Sequence, residues 1–262
     1  MTKTVVLFDM DGTLTEPRKA FDNKLKSYLY EISEKAEIGI VSGSDYDYIR
    51  EQMGSLIDTS HVRYKMHLLP CNGTKHYTPP KNNADVHELV FQTSMKREIG
   101  EDGFNQLVRL LIEKQLIFSH SLPCLSGTFI HYRGSMINWC PIGRSATPSE
   151  RKAFVELDTS FSPSVRQKMR ETIMSHREFC HLNMEIKLGG DTSFDIYPNG
   201  WDKTFALNRF PDYKVWFVGD RCHEGGNDKE LYDLLKNEGR SFSTTGPEET
   251  MKIIQEKIIP NL

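Results

Sequence analysis

Residues 5–15 read Val5-Val6-Leu7-Phe8-Asp9-Met10-Asp11-Gly12-Thr13-Leu14-Thr15. The apolar first half, rich in β-branched residues, predicts a strand buried on both faces, as in a parallel sheet. The strand ends in two carboxylates, Asp9 and Asp11, which are costly to bury unless a cation offsets their charge. A hard divalent ion such as Mg2+ binds one or two carboxylates and leaves its other positions to water and phosphate. The alternative is an Asp-rich turn in which Gly12 supplies a positive φ.

Length and composition limit the number of domains and the kinds of partner that the protein can have. The chain has 262 residues, 38% hydrophobic and 26% charged, with a formal net charge of −3. Its length suits one large domain or two modest ones, and the absence of a basic excess argues against a nucleic-acid partner. No apolar run is long enough to span a bilayer, and the first strand leaves no room for a signal peptide, so no membrane association is expected. Five scattered cysteines fit free thiols in a reducing cytoplasm.

Strand and helix patterns alternate after the first strand. Apolar residues at helical spacing predict an amphipathic helix over 22–36, and residues 38–41 form a second short buried strand. Ser42 and Ser44 follow that strand. Ser44 with Asp47 resembles a capping box, so we expect one of the two serines to cap the next helix and the other hydroxyl to be available to a ligand.

The pattern of the first strand returns near the C-terminus. Residues 215–218 form an uninterrupted apolar strand that is followed by Asp220, and then by Asp228. Strand-helix alternation predicts a parallel sheet with right-handed crossovers, and ligands of such sheets collect at the carboxyl ends of the strands. Asp9, Asp11 and Asp220 are therefore expected to converge, with Asp228 as a further candidate. This convergence favours metal-assisted phosphate chemistry over an Asp-rich turn.

A different kind of module separates these sheet segments. Residues 78–100 lose periodicity at a proline-rich boundary, and beyond it a helix is predicted over 102–116 and a hairpin over 128–139. Two more strands are predicted, over 184–188 and 193–197. Helices with an antiparallel sheet indicate an α+β domain inserted into an α/β core. The expected ranges are 1–82 and 200–262 for the core and 83–199 for the inserted domain.

The inserted domain also gathers polar residues suited to a sugar phosphate: Arg133, Arg144, Arg151, Ser193 and Asp195. Alternation along the strand places Ser193 and Asp195 on one face. Each residue taken alone is most simply a solvated surface group. Together, the guanidinium groups suit a phosphate, and the serine and aspartate suit hydroxyls. Arg18 stands in a proline-stiffened loop beside the acids of the first strand and is a further candidate for phosphate binding.

These motifs resemble those of the haloacid dehalogenase-like (HAD-like) superfamily, which has DxDGT after a strand, a serine after the second strand, a lone lysine and GD…GND after the last strand. Lys203 matches the lysine. Segments 9–18, 141–145, 193–197, 200–203 and 225–228 more closely resemble eukaryotic-type phosphomannomutases. The resemblance covers nearly the whole chain and is weakest over roughly 60–125. It implies a Rossmannoid core with an inserted cap domain.

The resemblance also implies a reaction. Asp9 would be the nucleophile that forms an aspartyl phosphate, and Asp11 would be the general acid and base. Mg2+ would be held by Asp9, the backbone carbonyl of Asp11 and Asp220. Lys203 and Ser42 or Ser44 would neutralise the charge of the transferring phosphoryl group. The phosphate that is not reacting, and the sugar hydroxyls, would be held by Arg18, Arg133, Arg144, Arg151, Ser193 and Asp195.

The implied activity is interconversion of hexose 1-phosphate and hexose 6-phosphate, with mannose or glucose as the hexose, through a hexose 1,6-bisphosphate. The resemblance also implies a homodimer paired through the caps. Leu234 stands where the family has a carboxylate ligand of a second, structural metal site, which puts that site in doubt. A HAD-type sugar-phosphate phosphatase is the main alternative, because it would use the same acids and lysine. A receiver-type phosphorylation switch is a second alternative, and it has no use for an arginine-bearing insertion.

Overall fold

The computed structural model describes residues 3–16 and 21–262. The chain divides into two compact units, Met1–Gln92 with Trp201–Leu262, and Thr93–Gly200. The second unit begins at Thr93 rather than at residue 83, because Glu88–Gln92 pairs with the sheet of the first unit as an edge strand. All five cysteines are free thiols, as predicted. Among the described residues, every helix is too short or too polar to cross a membrane.

The described part of the first unit forms a seven-stranded sheet. Numbered along the chain, its strands are β1 (Lys3–Phe8), β2 (Glu37–Val41), β3 (Met66–Leu69), β4 (Lys75–Thr78), β5 (Glu88–Gln92), β10 (Tyr213–Gly219) and β11 (Ser241–Ser243). Their spatial order is β11-β10-β1-β2-β3-β4-β5. The five strands from β11 to β3 are parallel, whereas β4 pairs antiparallel with β3 and β5 pairs antiparallel with β4. The predicted α/β core with a parallel sheet is therefore confirmed.

Strand β1 is central because both of its faces are covered. Val6 and Phe8 belong to one buried apolar cluster and Val5 and Leu7 to another, as the alternation of side chains along a strand requires. All four side chains are fully buried, which contributes roughly 1.5–3 kcal/mol each. The covering helices are Lys24–Ser33, Tyr46–Asp58, Lys229–Lys236 and Pro247–Ile253. The first of them lies inside the range 22–36 predicted for it.

The parallel register determines which residues share one edge of the sheet. Phe8 of β1 is paired with Val218 of β10 on one side and with Ile40 of β2 on the other. Since the strands run in the same direction, the residues that follow them emerge at the same edge. Asp9 and Asp220 lie at this edge, together with the loop after β2.

The second unit contains a four-stranded antiparallel sheet among the described residues. Its strands are β6 (Ile130–Tyr132), β7 (Ile137–Trp139), β8 (Met184–Gly189) and β9 (Ser193–Pro198), in the spatial order β6-β7-β9-β8. Its helices are Met95–Ser119, which is interrupted at Gly100, Pro148–Thr159, Val165–Met174 and Arg177–His181. These elements bury a cluster of their own around the sheet. The strands agree with the hairpin and the two strands predicted for the inserted domain.

The hairpin that joins β6 to β7 turns where it was expected. The backbone N–H of Arg133 donates to the carbonyl oxygen of Met136 at 2.9 Å, which closes a two-residue turn at Gly134 and Ser135. Gly134 has a φ of +89°, which a residue with a side chain rarely adopts. The turn fixes the pairing of β6 with β7 and thereby the face on which the side chains of β7 lie.

Candidate active site

Asp9 lies where the central strand β1 leaves the sheet. The residue is 6% exposed, and its backbone N–H donates to the carbonyl oxygen of Val218 at 2.9 Å. The ladder between β1 and β10 therefore continues through Asp9 itself. Because the backbone is held on the β10 side, the carboxylate is fixed at the carboxyl edge of the sheet.

Lys203 reaches the same place from a distant part of the chain. Asp202 accepts a hydrogen bond from the backbone N–H of Thr204 at 2.7 Å and caps the short helix that begins at Lys203. The side chain of Lys203 is completely buried, and its ammonium contacts carboxylate oxygens of both Asp9 and Asp228. The lysine predicted from the sequence therefore bridges two acids that are far apart along the chain.

Asp220 and Asp228 complete an acidic cluster with Asp9. One carboxylate oxygen from each of the three residues lies within 4.8 Å of the others. Asp220 packs directly on the loop after β1, since a Cβ added to Gly12 would lie 2.4 Å from its Oδ2. Gly12 also has a φ of +85°, so both its backbone and the close approach favour glycine. The distant acids therefore meet, and Asp228 is a full member of the group.

The cluster carries more negative charge than its lysine can balance. Three carboxyl groups face one ammonium. Burial raises the pKa of Asp9 well above its ordinary value, and the charges of Asp228 and Asp220 add to this while Lys203 opposes it. Burial and the charge of Asp228 raise the pKa of Asp220 to about 6. Burial alone would lower the pKa of Lys203, but the charges of Asp228 and Asp9 outweigh it and raise that pKa.

A divalent cation fits this arrangement. Asp220 Oδ1 is buried and accepts no hydrogen bond from the described residues, which is costly for a carboxylate oxygen. Asp228 differs, because its Oδ1 contacts Lys203 and its Oδ2 accepts the backbone N–H of Arg221 at 2.9 Å. Hard oxygen ligands and excess negative charge are what a Mg2+-like ion requires. The contacts favour Asp9 and Asp220 as its ligands and Asp228 as the residue that orients Lys203.

Asp11 has a different environment from that cluster. Its Oδ1 accepts a hydrogen bond from the hydroxyl of Tyr48 at 3.2 Å. Tyr48 lies in the first turn of helix Tyr46–Asp58, which begins directly after β2. Sequence reasoning missed Tyr48. The available signal was its place in a helix that starts at the same sheet edge as Asp11.

The loop after β2 corrects one prediction. The N-cap of helix Tyr46–Asp58 is Asp45, whose side chain accepts the backbone N–H of Tyr48 at 3.1 Å. The prediction that Ser44 caps this helix was wrong, because Asp45 has the extended backbone that a cap requires. Ser42 is not the cap either. Its hydroxyl oxygen accepts the backbone N–H of Ser44 at 3.0 Å, which folds the loop back on itself.

The turn after β3 connects this serine loop to the segment that carries the lysine. The backbone N–H of Asn72 donates to the carbonyl oxygen of Ser42 at 2.9 Å, and its side-chain amide donates to the carbonyl oxygen of Trp201 at 3.1 Å. Gly73 approaches Ala206 so closely that a Cβ would lie 2.6 Å from its Cα. Asn72 therefore holds the loop after β2 close to the start of the Lys203 segment.

The second unit brings its predicted polar residues together around one strand pair. Arg133 Nη1 lies 3.6 Å from Asp195 Oδ1. Asn138 lies between the others: its Nδ2 donates to Asp195 Oδ1 at 2.8 Å and to Ser193 Oγ at 3.1 Å, and its Oδ1 accepts from Arg144 Nη1 at 2.8 Å. Sequence reasoning missed Asn138. Its place opposite Asp195 in the paired strands was the signal that could have indicated it.

Arg151 supports this cluster from the neighbouring helix. Its guanidinium donates to the carbonyl oxygens of Ala146 at 3.0 Å and Arg144 at 2.7 Å, and to the hydroxyl of Thr192 at 2.7 Å. These bonds fix the backbone around Arg144. Arg18, the remaining candidate, lies outside the described residues.

Comparisons with known proteins bear on this geometry. A sequence model of a family described as eukaryotic phosphomannomutase matches residues 25–260. The chain belongs to this family. The phosphomannomutase of Solanum lycopersicum is 32% identical over 254 residues, which cover 95% of this chain and 91% of the relative. That of Arabidopsis thaliana is 34% identical over 253 residues, which cover 94% and 93%. The resemblance drawn from the sequence motifs is confirmed.

Solved structures with a similar fold are more distant in sequence. The IMP-bound, N-terminally truncated IMP-nucleotidase of Plasmodium falciparum has a TM-score of 0.65 at 13% identity, covering 100% of this chain and 69% of that one. A trehalose-6-phosphate phosphatase of Aspergillus fumigatus has a TM-score of 0.51 at 17% identity, covering 100% and 94%. At these identities the likeness extends to the HAD-like fold alone.

Proposed function

We propose that this protein is a phosphomannomutase that interconverts hexose 1-phosphate and hexose 6-phosphate, with mannose or glucose as the hexose. The observation that carries the proposal is the meeting of Asp9, Lys203 and Asp220 at one sheet edge in a member of this family. Phosphoryl transfer depends mainly on positioning and charge, and this edge offers a nucleophile, a fixed ammonium and a cation site.

In the proposed reaction Asp9 carries the phosphoryl group between two positions of the sugar. An oxygen of its carboxylate bonds to the phosphorus of a hexose 1,6-bisphosphate while the bond from phosphorus to the sugar oxygen breaks. Asp11 donates a proton to that oxygen, and in the return step it takes the proton from the hydroxyl that becomes phosphorylated. The hydrogen bond from Tyr48 supports this role, because it holds one oxygen of Asp11 in place.

The proposed cofactor is Mg2+, held by Asp9, Asp220 and the backbone carbonyl of Asp11. When bound, it supplies positive charge to the oxygens of the transferring phosphoryl group. Lys203 is held by its contacts with Asp228 and Asp9, and it would add positive charge to the same group from the protein. Ser42 or Ser44 is proposed to donate a hydrogen bond to it.

The second unit is proposed to hold the phosphate that does not react. Arg133 and Arg144 suit that phosphate, and Ser193 and Asp195 suit the sugar hydroxyls. Arg151 and Arg18 are proposed for the same end of the substrate, although the contacts of Arg151 favour a role in fixing the Arg144 loop. A site that recognises a phosphate and a few hydroxyls can accept the bisphosphate in both orientations, which a mutase requires.

An assay of products tests the proposal. Purified protein is incubated with mannose 1-phosphate or glucose 1-phosphate, with and without Mg2+ and catalytic hexose 1,6-bisphosphate. We expect hexose 6-phosphate to form only when both are present, and Asp9→Asn to abolish it. Asp212→Asn, at an exposed aspartate before β10, is the matched control and should keep full activity. Stoichiometric release of inorganic phosphate would identify a phosphatase instead, and full activity of Asp9→Asn would falsify the nucleophile assignment.

We also propose a cytoplasmic homodimer paired through the second unit. Helix Met95–Ser119 exposes a row of large apolar side chains, with Ile112, Leu116 and Ile117 each more than half exposed. Such a row is unfavourable in water and suits pairing with a second copy. Sedimentation should give a dimer for the wild type and a monomer for Leu116→Glu. Leu234→Glu, at an exposed leucine of the first unit, is the control and should leave the dimer intact.

A further inference from the structure

Asn138 is a buried polar residue to which the proposed reaction assigns no role. It lies in the middle of β7 and is 3% exposed. In the register of β7 with β9 it stands directly opposite Asp195. The two side chains therefore lie on the same face of the sheet, where the candidate sugar-phosphate residues gather.

One amide contacts three of those candidates. The two hydrogens of Asn138 Nδ2 are shared among three acceptors, Asp195 Oδ1 at 2.8 Å, Ser193 Oγ at 3.1 Å and the carbonyl oxygen of Phe194 at 3.3 Å. On the other side, its Oδ1 accepts from Arg144 Nη1 at 2.8 Å. The amide therefore stands between a guanidinium and a carboxylate: it accepts from the guanidinium of Arg144 and donates to the carboxylate of Asp195.

The chemistry of this position selects an amide. A carboxylate could accept from Arg144 but could not donate to Asp195, and an ammonium could donate but not accept. A hydroxyl offers only one donor, whereas the amide nitrogen offers two. Because the site is buried, a polar group that loses its partner here cannot form a hydrogen bond to water instead.

The partners of Asn138 are themselves confined. Ser193 Oγ donates to the carbonyl oxygen of Gly189 at 2.6 Å. Gly189 also lies so close to Asp195 that a Cβ there would meet Asp195 Oδ2 at 2.8 Å. Ser193 and Asp195 are therefore held on the β8 side by Gly189 and on the β7 side by Asn138.

We propose that Asn138 is a positioning residue for sugar-phosphate binding. It holds Arg144, Ser193 and Asp195 in their binding geometry before the substrate arrives, so that less ordering is required on association. This inference rests on the proposed function, because it takes those three residues as the substrate contacts. Asn138 acts through its neighbours and is not proposed to touch the substrate.

Two variants test the role of the amide. Asn138→Asp keeps the shape and the acceptor for Arg144 but removes the donors and places a second carboxylate against Asp195. Asn138→Ala removes both functions. We expect each to raise KM for hexose 1-phosphate roughly 10–100-fold, as expected for lost hydrogen bonds to charged groups, with kcat changed less than about threefold. Ile137→Val, at a fully buried neighbour in β7, is the control for loosened packing and should leave KM unchanged.

The exchange Asn138→Asp with Asp195→Asn gives a sharper test. It keeps the acceptor for Arg144 and restores a hydrogen bond between the two positions, now donated by the amide at position 195 to the carboxylate at position 138. We expect the double variant to have a KM at least threefold lower than that of Asn138→Asp. A residue that served only in packing would not give this recovery. Far-UV circular dichroism and a thermal melt establish that each variant is folded.

Direct binding separates this inference from the proposed function. Calorimetric titration with glucose 1-phosphate should show the same loss of affinity for Asn138→Asp. If the wild type binds but produces no hexose 6-phosphate, the proposed function fails, and the role of Asn138 stands when the two variants bind more weakly than the wild type. If folded Asn138→Asp and Asn138→Ala bind as tightly as the wild type, the role of Asn138 is refuted. A wild type that binds no hexose phosphate would refute both.

Discussion

Replacing Lys203 by methionine tests the electrostatics of the acidic cluster. Methionine approximates the volume of the lysine but removes the ammonium that contacts Asp9 and Asp228, both of which are buried. Removing one partner of a buried ion pair costs about 3–5 kcal/mol, because the remaining charge has neither water nor a counter-charge. For a folding unit of this size each kcal/mol lowers the melting temperature by about 2–4 °C, which gives a decrease of roughly 6–20 °C.

The assay is urea unfolding at pH 7 without divalent cations, followed by far-UV circular dichroism. Lys229→Met is the matched control, because Lys229 pairs with Asp233 on the solvent side of helix Lys229–Lys236, where water screens the charges, so its loss should change the free energy of unfolding far less than the loss of Lys203. The double variant Lys203→Met/Asp228→Asn should recover part of the loss, since it removes one of the two unpaired carboxylates.

The result that would refute this reasoning is a Lys203→Met protein as stable as the wild type. The ammonium would then contribute nothing that a methyl thioether cannot supply. A double variant less stable than Lys203→Met would also contradict it, because the carboxylate of Asp228 could not then be the source of the penalty.

Two further predictions concern a hydrogen bond and pH. Tyr48→Phe removes the donor to Asp11 and should lower kcat roughly threefold to tenfold with little change in KM, and steady-state kinetics showing an unchanged kcat would contradict the role of this bond. Burial lowers the pKa of His76 and of His87 to about 4. Because the unfolded chain takes up these protons near pH 6.5, the free energy of unfolding should fall by roughly 1–2 kcal/mol per histidine between pH 6.5 and pH 4. Urea unfolding across that range should show a shallower dependence for His87→Gln than for the wild type, and equal slopes would be the contrary result.

The sheet edge and its acids could be predicted because they depend on a strong local pattern. Residues 5–8 and 215–218 are continuous apolar runs, and each is followed closely by aspartate. Once the strands are parallel, the geometry of the sheet brings Asp9 and Asp220 together without further information. Lys203 could be identified only by resemblance, since nothing in its local sequence shows that it reaches Asp9.

The features that were missed depend on details that a periodic pattern does not contain. Ser44 and Asp45 are equally good caps by residue type, and only the backbone conformation distinguishes them. Strand β5 has an apolar run of only three residues, 89–91, none of them buried, and such a short run does not by itself assign an exposed edge strand to the core sheet. Tyr48 and Asn138 contact side chains of other elements. Such contacts depend on strand register and side-chain rotamer, which a periodic sequence pattern does not specify.

The most direct test of the central claim is a single-turnover experiment with hexose 1,6-bisphosphate that carries a labelled phosphate. The label should appear on Asp9, as located by peptide mass spectrometry, and should then pass to hexose 1-phosphate as that substrate becomes bisphosphate. Asp9→Asn should carry no label. Label on another residue, or label released entirely as inorganic phosphate without hexose 6-phosphate, would contradict the account.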